Sequence, residues 1–257
     1  MQMTQNDFGL VMSAALDMGK ILLVAGAEIY RTEDTIKRIV SAYGGAGAQI
    51  NAVPSHIIAN AVFEGREYTL MRRIKYTDTD VEILDRLNAL SRRICAETPA
   101  PKALAGMIKQ ATDVKKYTAV QMSFIYAFVS AAFTLFFAGG PADAAVSAFT
   151  GGTLYWLMQL IKRTGGNRVF VDLLGSAYSA FMAVTLTRIG IGYDADKVII
   201  GVVMVLIPGI EMLNGSRDFI AGDIQAGLMH LAEALFLAII IAVGAAGMFA
   251  LMGTKAV

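Results

Sequence analysis

The strongest constraint on the fold of this chain is the uneven distribution of its charged residues. Of the 43 Asp, Glu, Lys and Arg residues, 28 lie in residues 1–116 and only 15 in the remainder of the 257-residue chain. A charged group near the centre of a bilayer costs about 2.5–3.5 kcal/mol on insertion scales, so membrane domains are poor in charge. We therefore predict a soluble domain over residues 1–114 and a membrane domain over residues 115–257.

Composition and motifs exclude several classes of function. The formal net charge of +1 gives no reason to expect binding to nucleic acid, and the single cysteine, Cys95, excludes an internal disulfide framework. The sequence has no Gly-x-Ser-x-Gly, Walker or dinucleotide-binding glycine motif, so we expect neither an enzyme nor a cofactor. His230 and Glu233 lack the accompanying ligands that a metal site needs, and no metal is predicted.

Local patterns predict an α+β fold for the first domain. Thr4 or Asn6 can cap a first helix that Gly26 ends, and Asp80 can cap a later one. Between residues 49 and 74 the apolar period shortens towards two, which is typical of strands, with a hairpin at Gly65. The predicted order is a helix to residue 24, a helix over 28–43, three strands over 49–74, and helices over 80–97 and 102–112.

The second domain is predicted to be an all-α bundle of five transmembrane helices, because roughly 17–25 apolar residues cross a bilayer. Pro208 and Gly209 interrupt the fourth predicted span, and proline removes a backbone donor, so we expect this helix to unwind and expose carbonyl groups. The predicted spans are residues 117–138, 144–161, 169–187, 198–213 and 224–252.

Basic residues in the loops predict the orientation. Basic residues are more numerous on one side of the predicted membrane domain, in the segments before the first span, between the second and third spans, and between the fourth and fifth. Fewer lie on the opposite side, which includes Lys255. By the positive-inside rule the N-terminal domain is expected in the cytoplasm and the C-terminus outside. The N-terminus lacks a basic segment, so no signal peptide is predicted.

Charged and polar residues cluster around the interrupted span. Asp223, His230 and Glu233 lie at i, i+7 and i+10 and are predicted to form one polar stripe on an inward helix face. Arg217 is a candidate for binding a substrate carboxylate, although pairing with Asp218 or Asp223, or anchoring at the membrane interface, stays open. Asp172, three residues into its span, fits a functional role and a place at the interface equally well.

Two segments carry a resemblance to a known family. GAEIYRTEDTIKRI (26–39) and LIPGIEMLNGSRDFIAGDIQAGLMHLAEALFLAIIIAVG (206–244) together resemble the threonine/serine exporter (ThrE) family. At position 230 the resemblance implies an arginine, but this chain has His230. A histidine there leaves room for a group that titrates. The family motifs fall on Gly26, Glu28, Tyr30, Arg31, Glu33, Asp34, Pro208, Gly209, Asn214, Arg217, Asp218, Gly222, Asp223, Glu233 and Ala234.

The resemblance implies a bacterial inner-membrane, multi-pass exporter subunit. A chain with five spans is similar to the separate large subunit of the family's split form, the YjjP-like proteins. This resemblance implies a small membrane partner resembling the family's C-terminal half. The implied substrates are succinate-type dicarboxylates or serine and threonine, with ion or proton coupling; a higher oligomer stays open. Asp223 and Glu233 are the candidates for proton or substrate coupling, and the break over 208–214 is the candidate hinge.

The alternative is a membrane-tethered cytoplasmic enzyme or regulatory domain, in which residues of the first domain form the site. Its candidates are Glu28, Tyr30, Arg31, Glu33 and His56. A simpler interpretation of the 26–39 segment is a solvated helix face with ion pairs such as Glu33 with Lys37.

Overall fold

The structure is a computed structural model that describes residues 3–75 and 79–252. The described chain is mostly helical, with one small antiparallel sheet. Its elements are α1 (Gln5–Val24), α2 (Ile29–Ala42), β1 (Ala46–Val53), β2 (His56–Phe63), β3 (Arg66–Arg73), α3 (Val81–Glu97), α4 (Pro101–Thr112), α5 (Ala119–Phe136), α6 (Pro141–Arg163), α7 (Arg168–Arg188), α8 (Ala195–Val203), α9 (Gly209–Ala221) and α10 (Ile224–Leu251).

Side chains close in sequence define the helix ends of the N-terminal part, as predicted. Thr4 caps α1 in a capping box, in which its hydroxyl oxygen accepts a hydrogen bond from the Asp7 N–H and its own backbone N–H donates to the Asp7 carboxylate. Gly26 follows the helix with φ of 93°, a conformation that favours glycine. The Asp80 carboxylate caps α3 by accepting a hydrogen bond from the Ile83 N–H.

The three predicted strands are confirmed and form a sheet of order β1-β2-β3. The two-residue loop of Glu64 and Gly65 joins β2 to β3, and φ values of 48° and 75° match a type I′ hairpin. Alternate residues of β2, including Ile57 and Ala59, are fully buried, while Asn60 lies on the opposite face. One face of the sheet therefore closes the core of the N-terminal part.

The described chain divides into two compact units. The first contains the residues up to Lys115 together with Ile210–Ala232, and the second contains the remainder. Residues 210–232 fall in the predicted membrane domain, and the grouping into compact units does not test that prediction. Hydrogen bonds between α9 and the start of α2 explain why this segment packs with the N-terminal residues.

Aromatic and aliphatic side chains of α1 and α2 form the core of the first unit. The Phe8 ring stacks on Phe63 at a centroid distance of 4.6 Å and meets Tyr68 edge-on at 5.1 Å. Gly19 lets α1 approach α2, because an added Cβ would overlap the Ile36 side chain. A buried aliphatic side chain contributes about 1.5–3 kcal/mol, so this core can stabilise the unit.

Small residues let the helices of the second unit approach closely. A Cβ on Gly201 of α8 would overlap the hydroxyl of Thr134 in α5, and one on Gly244 of α10 would overlap that of Ser176 in α7. Without a hydrophobic driving force between helices in lipid, such contacts between small residues are the usual source of helix association.

Three described helices are long and apolar enough to cross a membrane, namely α5, α7 and α10. They correspond to three of the five predicted spans, so the five-span count is not confirmed. The 23-residue α6 does not reach the same apolarity, and the fourth predicted span is divided between α8 and α9. The predicted external C-terminus and Lys255 lie outside the described residues.

The predicted break at Pro208 is present, because residues 204–208 are not helical and α9 begins at Gly209. Pro208→Ala is predicted to let α8 and α9 join and, on the export that the family resemblance implies, to lower efflux to about a tenth of the wild-type rate, equivalent to ~1.4 kcal/mol. Efflux is measured at matched protein levels in the membrane. Pro141→Ala is the control, because Pro141 starts α6, where proline is tolerated. Wild-type efflux kinetics in Pro208→Ala would remove the hinge.

Candidate functional site

The two sequence motifs meet in the first unit, although they are separated by about 190 residues. Residues of the α1–α2 turn and the start of α2 contact one face of α9, where Asn214, Gly215 and Asp218 are buried. We call this cluster the α2–α9 junction. It consists of Gly26, Glu28, Ile29, Asn214, Arg217, Asp218 and His230.

Asp218 caps α2 from a distant helix. Glu28 occupies the N-cap position but makes no side-chain capping bond, and the Ile29 N–H instead donates to Asp218 Oδ1 at 3.4 Å. Free N–H groups and the helix dipole make an N-terminus favourable for a carboxylate. Asp218 is fully buried, so this long-range cap replaces water at the end of the helix.

The second oxygen of Asp218 contacts His230 of α10, with Oδ2 2.9 Å from Nδ1. Both side chains are buried, and a buried charge needs such a partner. His230 therefore links α10 to the carboxylate that caps α2. Histidine, at the position where the resemblance implies arginine, still supplies a polar partner for Asp218.

Glu28 connects two arginines. Its Oε1 accepts a hydrogen bond from Arg217 Nη1 at 2.8 Å, and its Oε2 lies 3.3 Å from Arg31 Nη1. The Glu28 side chain is nearly buried, whereas about half of each arginine side chain is exposed. Of the alternatives considered for Arg217, neither Asp218 nor Asp223 is the observed partner, because Glu28 reaches it from α2.

Asn214 and two glycines complete the packing of the junction. Asn214 Nδ2 donates to the Gly26 carbonyl oxygen at 3.0 Å. A Cβ on Gly215 of α9 or on Gly227 of α10 would lie about 3 Å from the backbone oxygen of the other glycine. Gly222, with φ of 93°, turns the chain between these two helices.

The structure does not unite the predicted stripe of Asp223, His230 and Glu233. His230 belongs to the α2–α9 junction, and Asp223 precedes α10 and lies close enough to Glu33 of α2 to raise its pKa. Glu233 belongs to the second unit. His230 and Glu233 share α10, but His230 contacts Asp218 and Glu233 lies near Arg168.

Glu33 has a structural partner. Its Oε1 accepts a hydrogen bond from the Ala52 N–H of β1 at 2.6 Å, rather than the predicted ion pair with Lys37. Burial raises the pKa of Glu33, and Asp223 adds to this, while the Ala52 N–H opposes it. His56 contacts its neighbour Ser55, with Nδ1 3.0 Å from Oγ.

Tyr30 and Arg31 differ from Glu33 because they face open space. The Tyr30 side chain is exposed, and both residues line a cavity between α2 and α3. Two of the five cytoplasmic-domain candidates, Tyr30 and Arg31, thus line a cavity, and Glu28 is hydrogen-bonded to Arg31.

A cluster of charges in the second unit involves an arginine that the sequence analysis did not single out as a site residue. Arg168, at the start of α7, lies 3.8 Å from Asp172 Oδ2 and 3.9 Å from Glu233 Oε1. Asp172 is buried, and Glu233 is half exposed. The spacing of Arg168 and Asp172 at i, i+4 could have indicated their pairing, but nothing local indicates the contact with Glu233.

Three membrane-capable helices together with buried charged groups are consistent with a membrane protein. The ThrE family model, which describes threonine/serine exporters, matches residues 13–252. The chain belongs to the threonine/serine exporter family, which confirms the resemblance of the two motifs.

One curated relative agrees with this membership. The chain is 22% identical over 240 residues to a "Probable threonine/serine exporter" from Mycobacterium tuberculosis (strain ATCC 25618 / H37Rv), in a match that covers 91% of this chain and 45% of the relative. The chain thus spans about half the length of that relative. No solved structure shows significant similarity to the chain.

Proposed function

We propose that this chain is a subunit of a secondary exporter that moves serine and threonine out of the cytoplasm. The observation that carries this proposal is the α2–α9 junction. Charged groups tie α9, which follows the break at Pro208, to the first turn of α2. Broken helices next to buried charges are the usual binding and gating elements of secondary transporters.

Family membership supports the choice of substrate, because the matched relative is named for threonine and serine. An amino acid offers an ammonium and a carboxylate, and the Arg168, Asp172 and Glu233 cluster contains groups of both complementary charges. In this proposal the Glu233 carboxylate leaves Arg168 and binds either the ammonium group of the substrate or a coupling proton. Succinate, which lacks the ammonium, is the comparison that tests this.

The membrane arrangement forms part of the same proposal. Residues 1–114 face the cytoplasm, as the basic residues of the loops favour, and α6 and residues 198–213 add to the three membrane-capable helices to make five spans. A small membrane subunit resembling the family's C-terminal half completes the carrier.

The structure favours an exporter over a membrane-tethered enzyme built from Glu28, Tyr30, Arg31, Glu33 and His56. Glu28 is occupied by two arginines, Glu33 by a backbone N–H and His56 by Ser55. The contacts of Glu28 and Glu33 hold helices and strands in place.

Efflux from proteoliposomes tests the proposal. Vesicles loaded with serine, threonine or succinate contain this chain alone, the small membrane subunit alone, or both. We expect efflux of serine and threonine only with both proteins, and little efflux of succinate. Robust efflux by this chain alone would disprove the need for a partner, and efflux of succinate alone would disprove the assigned substrate.

A further inference from the structure

A cavity of about 640 Å³ lies between α2 and α3 in the first unit. This volume is within the range of about 300–1,000 Å³ that is usual for sites of small organic ligands. The lining residues of α2 recur at positions 30, 31, 34, 35 and 38, and those of α3 at 88, 91, 92, 95 and 96. The cavity is therefore built from one face of each of two regular helices.

Three arginines line this cavity, and one carboxylate, Asp34, accompanies them. Asp34 is bound to Arg38 at 2.8 Å, and Arg31 shares Glu28 with Arg217. Arg92 makes no ion pair with any residue in the described ranges. The positive charge around the cavity thus exceeds the negative charge, and a guanidinium presents the planar fork of donors that fits phosphate oxygens.

Uncharged groups of the lining suit a planar, polar ligand. Tyr30, whose side chain is 45% exposed, offers an aromatic face on which another ring can stack. Asn88 and Ser91 add an amide and a hydroxyl from α3. A single carboxylate, as in an amino acid, would neither fill this volume nor neutralise the excess charge.

We propose that this cavity binds a nucleotide, with the phosphates on Arg31, Arg38 and Arg92 and the base against Tyr30. Neither serine nor threonine has this chemistry, so the site is separate from that of the transported substrate. The features of the ligand that this site recognises are several phosphate charges joined to one planar ring system.

Arg31 connects this cavity to the α2–α9 junction. Arg31 and Arg217 both bind Glu28, so a phosphate that attracts Arg31 leaves the Glu28 carboxylate to Arg217. The nucleotide would thereby strengthen the contact between α2 and α9. This regulatory step rests on the proposed exporter function, whereas binding to the cavity does not.

The only cysteine of the chain, Cys95, lines the cavity and reports on its occupancy. Burial raises the pKa of the Cys95 thiol, so its labelling by a small maleimide is slow enough to follow. We expect ATP at fixed ionic strength to slow this labelling by about tenfold in the full-length detergent-solubilised chain, and binding of ATP measured by calorimetry to saturate.

Arg92→Ala and Arg93→Ala form the matched pair of variants. Arg93 is the next residue of the same helix, pairs with Glu97 at 2.9 Å and does not line the cavity. We expect Arg92→Ala to raise the Kd for ATP by about tenfold or more and Arg93→Ala to leave it unchanged. Equal effects of both variants, or no saturable binding of ATP to the wild-type chain, would overturn the proposal.

Binding of pyrophosphate, adenosine and AMP measures separately what the phosphates and the base contribute to affinity. We expect ATP to bind more tightly than either pyrophosphate or adenosine, and Tyr30→Ala to weaken AMP but not pyrophosphate. Equal binding of ATP and pyrophosphate, unaffected by Tyr30→Ala, would overturn the assignment to a nucleotide. These measurements need no export, so their failure is distinguishable from failure of the proposed exporter function.

Discussion

Asp218→Ala is expected to abolish export and to lower the free energy of unfolding of the first unit by about 3–5 kcal/mol. The wild-type carboxylate is fully buried and accepts hydrogen bonds from two elements, the Ile29 N–H of α2 and the ring of His230. Alanine leaves both groups buried without a partner, and each lost partner has a cost. The first turn of α2 then loses its cap and its tie to α9.

Hydrogen exchange at the amides of α2, thermal unfolding in detergent and efflux at matched protein levels measure this effect. Asp218→Asn keeps the shape and one acceptor, so we expect it to retain more protection at α2 than Asp218→Ala. Asp85→Ala removes an exposed carboxylate of α3 and serves as the control. Unchanged exchange at α2 together with normal efflux in Asp218→Ala would show that the cap is dispensable.

The elements of the N-terminal unit could be predicted because their causes lie within a few residues. Thr4 and Asp7 cap α1 across three positions, and Glu64 with Gly65 closes a two-residue hairpin. Such contacts depend on local backbone geometry, which a single sequence displays directly. For the same reason the break at Pro208 was visible before the structure.

The contacts of the α2–α9 junction could not be predicted, because they join residues far apart in sequence. Asp218 and Ile29 are separated by 189 positions, as are Arg217 and Glu28. The resemblance to the family named Glu28, Arg217 and Asp218 but not Ile29, and it did not say that these residues meet. Helical spacing grouped His230 with Glu233, whereas their contacts are with Asp218 and Arg168.

The number of membrane spans also could not be predicted from local sequence patterns. Apolar composition predicted five spans, of which α5, α7 and α10 correspond to helices that are long and apolar enough to cross a membrane. In α6, polar residues such as Ser147 and Thr150 are buried against other helices, so overall apolarity understates its environment. Whether such a helix crosses the membrane depends on what covers it, and the sequence of the helix alone does not contain that information.

Glu233→Gln is expected to reduce export by about tenfold or more, or to make export independent of a pH gradient, while the protein still inserts and assembles. Glutamine keeps the shape of the side chain and resembles its protonated form. The wild-type carboxylate lies 3.9 Å from Arg168 and is half exposed, so it can change partner without unpacking the helix. A role in proton coupling therefore predicts retained substrate binding with altered transport.

Two other roles for Glu233 predict different results. If Glu233 binds the substrate ammonium, Glu233→Gln loses binding of serine and threonine, whereas if it only supports the fold, assembly fails. Asp196→Asn, the same change at an exposed residue of α8, is the control. Efflux is measured across a range of pH values on both sides of the vesicle membrane. Normal assembly with wild-type rates at every pH would show that Glu233 is a tolerated polar residue, and Arg168 with Asp172 would then be the remaining charged pair for coupling.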